Sequence, residues 1–259
     1  MSTTDEPVEL PELSHRPGQA ASDASDAHAP PGPEFATAWR AGVAYGLFAL
    51  VMLLTVALPI FTFWRGATLT VDTLGAGGLF QGQLVLAAFL LGWFLLQQRA
   101  GLRSFLHLPA AAWSRRVAEG LWTGLRGWLV TMVVMAALGV AAHGTGVQPN
   151  AGFADLIVWM ARRPFLLRVG VIVTAMIVEE AFFRAFLQPR VGIVLATALF
   201  ALSHVNYGSP TMGGGVFVIG WILGRAFTRT DDLAVCALAH GTFDAIQLLV
   251  VLPLVASQL

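Results

Sequence analysis

Two stretches of this chain, 41–64 and 73–98, contain no charged residue at all. A helix rises about 1.5 Å per residue and needs about 20 residues to cross a hydrocarbon core of about 30 Å, so each stretch can hold one membrane span. Further along, charges again punctuate long apolar runs. Spans are expected near 41–63, 79–98, 121–142, 165–188, 191–204, 211–227 and 233–255, and a weaker amphipathic piece at 153–161 lies at the interface or forms a short extra helix. The expected fold class is therefore all-α, a polytopic transmembrane helical bundle of seven to eight spans with a site buried between the later helices. Composition agrees, since 56% of the 259 residues are apolar and only 12% are charged, with a mean hydropathy of +0.71. A soluble domain of this size carries roughly a quarter of its residues charged.

The charge balance narrows the function classes. Fifteen basic and fifteen acidic residues give a net charge of zero and no basic stripe, so nucleic acid is not an expected partner, whereas the lipid bilayer is. A single cysteine, Cys236, in an apolar run excludes an internal disulfide and argues against a thiolate metal site. Residues 1–34 hold six prolines, no aromatic residue and seven acids against Arg16, so 1–39 reads as a disordered acidic, Pro-rich amino-terminal tail that lacks the pattern of a signal peptide. The remainder divides into amino-terminal transmembrane helices over 40–163 and a carboxyl-terminal core over 164–259. All basic residues are arginine, which fits a GC-rich coding sequence and hence a multi-pass protein of a bacterial inner membrane. Arg99, Arg103, Arg115, Arg116, Arg225 and Arg229 mark the expected cytoplasmic side, and 143–154, without arginine or lysine, the external one.

Polar residues inside the later spans are the informative exception. Glu179, Glu180 and Arg184 fall within an otherwise apolar run, where each charge at a helix centre costs about 2.5–3.5 kcal/mol on insertion scales. Glu180 and Arg184 stand at i and i+4, the favoured order for an ion pair, while Glu179 lies about 100° round the helix without a local partner. Phe200 and His204 are four apart on a second apolar segment, and His240 and Asp244 four apart on a third. A lone histidine is more often a satisfied interface residue, and a phenylalanine at helical spacing is usually core. Three segments that each carry carboxylate or imidazole at membrane depth weaken that reading. Glycines 213, 214, 215, 220 and 224 allow close helix approach or a broken helix beside such a cavity.

In order and spacing, E-E-x-x-x-R at Glu179, Glu180 and Arg184, F-x-x-x-H at Phe200 and His204, and H-x-x-x-N/D at His240 and Asp244 resemble the motifs of the CPBP (CAAX protease and bacteriocin-processing, or Abi) family of intramembrane endopeptidases. The resemblance covers roughly 165–250. It implies a protease acting on a lipidated or membrane-anchored peptide or protein: a CAAX-like tail, a bacteriocin or signalling peptide, or a carboxyl-terminal sorting segment. It also implies Glu179, His204, His240 and Asp244 as catalytic, with Glu180, Arg184 and Phe200 in support. Two chemistries stay open at this point. In one, Glu179 and His204 activate a water while His240 and Asp244 line the oxyanion side. In the other, Glu179, His204, His240 and Asp244 hold zinc, whose bound water is the nucleophile. No H-E-x-x-H helix is present to indicate a zincin. Outside proteolysis, a proton-coupled transporter with a buried relay, or a non-catalytic scaffold, would also place such residues in a bundle.

Overall fold

The structure, a computed structural model, describes residues 33–66, 70–144 and 151–258. The expected acidic tail lies outside the described residues as far as Gly32, and so does 145–150 of the arginine-free connection. Among the described residues all regular elements are helical, and extended pairing is confined to an isolated bridge between Phe35 and Gln97.

In chain order the helices are α1 (Ala38–Trp64), α2 (Val71–Gly78), α3 (Gln81–Leu96), α4 (Leu102–Phe105), α5 (Trp113–Gly144), α6 (Ala151–Ala161), α7 (Phe165–Glu180), α8 (Gln188–Leu202), α9 (Pro210–Thr230) and α10 (Leu233–Ala256). Helices α1, α5, α9 and α10 are long and apolar enough to cross a membrane, and α3 is a shorter apolar helix. The protein is an integral membrane protein of all-α class. The wider count of seven to eight spans includes α3, α7 and α8, which are too short to meet length and hydropathy together. Instead, α7 runs through a π-helical segment, Ala181–Leu187, into α8, which is broken at Gly192 where φ is 81°. A non-glycine residue would be strained there. The piece expected at 153–161 is the separate short helix α6, packed against α2 and the last turns of α10.

Local chemistry sets the helix ends nearest the later core. Ser209 caps α9 by accepting the Met212 amide at 3.4 Å, and Pro210 occupies the first turn. Asp231, at φ 47°, ends α9, and Asp232 starts α10 by accepting the Ala234 amide at 2.9 Å. Asp232 also accepts from Arg116 Nε at 2.6 Å, tying this turn to the start of α5.

Outward-facing Val133 and Val140 on α5 are 69% and 76% exposed, a surface that only hydrocarbon would cover at low cost. The inner face of α5 runs along α9 and α10. Gly120 and Gly124 make that approach possible, because a Cβ at Gly124 would stand 2.4 Å from the Ala239 carbonyl oxygen. Gly124→Val should therefore lower stability by about 1–3 kcal/mol, measured by thermal unfolding in detergent, whereas Gly139→Val, where nothing lies within 4 Å, should be near neutral.

Candidate active site

Glu179 and Glu180 close α7, and the seven residues after them form the π-helical segment Ala181–Leu187, every one buried. Segments of this kind occur frequently at functional sites. Here Phe182 and Phe186 meet Phe89 of α3 at ring separations of 5.6 and 5.0 Å, and Phe186 meets Trp93 at 4.8 Å. These aromatics clamp the end of α7 against α3 and fix the direction of both glutamates.

Glu180 and Arg184 are both fully buried. Arg184 Nε donates to Glu180 Oε2 at 3.2 Å, the i to i+4 pair expected from the spacing. The guanidinium lies 5.3 Å from the Phe200 ring centre, while its Nη1 and Nη2 have no hydrogen-bond partner among the described residues. From α10, His240 turns Nδ1 toward the other oxygen of Glu180 at 2.9 Å and Nε2 toward Asp244 Oδ2 at 3.4 Å. Both ring nitrogens thus face carboxylate oxygens, and Glu180 joins α7 to α10. The sequence gives no sign that Glu180 has this second partner, 60 residues away.

Glu179 is not left alone either. Gln83 on α3 donates Nε2 to Glu179 Oε1 at 3.1 Å, a contact that sequence reading missed although a glutamine in an apolar span was its visible signal. The other oxygen, Oε2, stands 3.9 Å from His204 Nε2. His204 sits two residues beyond the end of α8, at the start of the short 3₁₀ turn Val205–Tyr207, rather than inside the helix. Its Nδ1 lies 2.8 Å from the Phe200 carbonyl oxygen, which can only accept, so Nδ1 carries a proton and donates. Ser203 Oγ is also within 3.0 Å of Nδ1, and Tyr207 stacks on the ring at 5.7 Å. Asn206 is held through Thr62 of α1 at 3.2 Å.

In the neutral imidazole, Nε2 is then an acceptor aimed at a second acceptor, Glu179 Oε2. Their 3.9 Å separation exceeds a direct hydrogen bond, but suits one water that gives a proton to each. Phe200 spaces the two histidines, with ring separations of 4.8 Å to His204 and 6.2 Å to His240. The side chains of Glu179, His204 and Asp244 keep 12%, 20% and 21% exposure, while Glu180 and Arg184 have none, so the first set is the one a substrate can reach.

The glycines of α9 supply close approach rather than a broken helix. A Cβ at Gly220 would stand 2.9 Å from Phe200, and one at Gly224 would stand 2.9 Å from Ile193. Cys236 is buried, with its Sγ 3.6 Å from the Leu223 carbonyl, and takes no part in the cluster.

As a zinc site the geometry fits poorly. Among the described residues no group of three or more His, Cys, Asp or Glu side chains converges as a metal set, and His240 has both nitrogens engaged.

Residues 161–246 match a family model described as Rce1-like, the type II CAAX prenyl endopeptidase. No curated protein and no solved structure matches the chain. The matched segment contains all three polar motifs, and it spans α7, α8, α9 and the polar half of α10. The segment of this membrane protein that carries the three polar motifs is thus similar to the Rce1-like type II CAAX prenyl endopeptidases.

Proposed function

We propose that the protein is an intramembrane endopeptidase that hydrolyses a peptide bond near the membrane interface in a lipidated or membrane-anchored substrate, with Glu179 and His204 activating the water. The observation that carries this reading is the pair of acceptors, Glu179 Oε2 and His204 Nε2, 3.9 Å apart and partly accessible. A water between them loses a proton to Glu179 as its oxygen attacks the scissile carbonyl. The tetrahedral intermediate collapses when that proton passes to the leaving amine, giving a free carboxylate and a free amine. His240, held between Glu180 and Asp244, stands 6.2 Å from Phe200 beside the same cluster. Glu180 and Arg184 serve as positioning residues. Zinc is the alternative nucleophile generator, and bound metal together with chelator-sensitive cleavage would replace the water-activation scheme. The source is proposed to be a bacterial inner membrane.

His204→Ala and His240→Ala should accumulate normally in membranes yet lose processing of a lipidated peptide. Normal processing by both variants would remove the proposal. Gln83→Leu should keep the fold and slow cleavage roughly tenfold, the size expected when a hydrogen bond to a charged group is lost. Unchanged turnover would show that Gln83 does not position Glu179. A proton-coupled transporter is the competing class, and proton uptake into vesicles that Glu180→Gln abolishes, without peptide cleavage, would select it.

A further inference from the structure

A second polar feature lies away from the motifs, between α5 and α9. Thr123 and Arg126 of α5 meet Trp221, Arg225 and Arg229 of α9 around a cleft of about 570 Å³. A neighbouring hollow of about 470 Å³ shares Thr123, Arg126 and Arg229, and adds Arg115 and Glu119. Four arginines thus face one acid. That acid is already engaged, because Arg229 Nη2 donates to Glu119 Oε1 at 2.7 Å. The Arg126 guanidinium carbon stands over the Trp122 ring, 4.3 Å from its centre, and among the described residues neither Arg126 nor Arg225 has a carboxylate partner. The cleft therefore carries uncompensated positive charge.

Its position says what kind of anion is available. Helix α5 has 32 residues, about 48 Å of helix against a hydrocarbon core of about 30 Å, so part of it stands at headgroup level. The start of α5 is bound to the end of α9 through Glu119 and Arg229, and to the α9–α10 turn through Arg116 and Asp232. This is the arginine-rich end of the bundle, and it carries Trp122 and Trp221 as interfacial aromatics do. From Arg126, positions i+3 and i+7 on the same stripe are Leu129 and Val133, which are 51% and 69% exposed. Cationic cleft and outward apolar stripe are continuous along one helix face.

We infer that this cleft is a binding site for an anionic phospholipid, with its phosphodiester on Arg126 and Arg225 and an acyl chain along Leu129 and Val133. Guanidinium groups pair with phosphate oxygens in bidentate fashion, and basic pockets between membrane helices take anionic head groups. A free phosphate would satisfy the arginines but make no use of the stripe.

The test is titration of the detergent-solubilised full chain with phosphatidylglycerol, phosphatidylcholine or soluble glycerol phosphate, read by tryptophan fluorescence and by thermal midpoint. Phosphatidylglycerol should bind at least tenfold more tightly than phosphatidylcholine, and glycerol phosphate should have little effect. The Arg126→Gln/Arg225→Gln variant should lose about tenfold in affinity, and the corresponding lysine pair, which keeps the charge but not the bidentate fork, should fall between it and the parent protein. Both arginines are exposed, so folding should survive, and the single Arg225→Ala variant serves if the pair does not accumulate. Equal binding of the two lipids, undiminished binding by the glutamine variant, or an equal response to glycerol phosphate would each overturn the assignment.

Discussion

Glu179→Gln is expected to lower kcat for cleavage of a membrane-anchored peptide by about 10²–10⁴, the range that a positioned general base contributes, with little change in KM. Glutamine preserves shape and can still meet Gln83, now 3.1 Å from Glu179 Oε1, so the α7 to α3 contact persists. What it removes is the carboxylate that takes the proton of a water shared with His204 Nε2. Folding should be intact, because the aromatic clamp of Phe182 and Phe186 on Phe89 and Trp93 does not involve this side chain. Single-turnover cleavage in detergent or vesicles checks it. A variant that retains more than about a tenth of the rate would place the proton acceptor elsewhere.

The largest stability effect should follow from Glu180. It and Arg184 are fully buried, and Glu180 also receives His240. Removing one partner of a buried ion pair costs about 3–5 kcal/mol, because the other charge is left uncompensated. Glu180→Leu should therefore unfold far more readily in a detergent thermal scan, with Arg184 stranded among Phe200 and its neighbours. Adding Arg184→Met should recover most of that loss, since replacing both charges by apolar groups of similar volume is often neutral. Cleavage should not return with it, because His240 Nδ1 would still lack its acceptor. Recovery of both stability and turnover would reduce Glu180 to packing alone.

Much of the helical layout is legible in the sequence because a bilayer imposes long charge-free runs, as at 41–64, where α1 forms. The Glu180–Arg184 pair is legible for an equally local reason, its i to i+4 spacing. Contacts between segments are another matter. Nothing near Glu179 announces Gln83, which lies 96 residues earlier, and nothing near His240 announces Glu180. The π-helical segment after Glu180 is likewise hidden, since Phe182, Phe183 and Phe186 read as core under ordinary helical periodicity as well. His204 shows the same limit in small: its four-residue spacing from Phe200 suggests one helix face, yet α8 ends at Leu202 and the ring is held by the Phe200 carbonyl instead.

The measurement that most directly tests hydrolysis by Glu179 and His204 is cleavage of a prenylated, membrane-anchored peptide by the purified full chain, with product masses and metal content determined together and chelator present or absent. One internal peptide bond should be cut, at the same rate in both conditions and without stoichiometric metal. Stoichiometric zinc with chelator-sensitive cleavage, or an intact peptide beside active protein-driven proton uptake, would contradict the account.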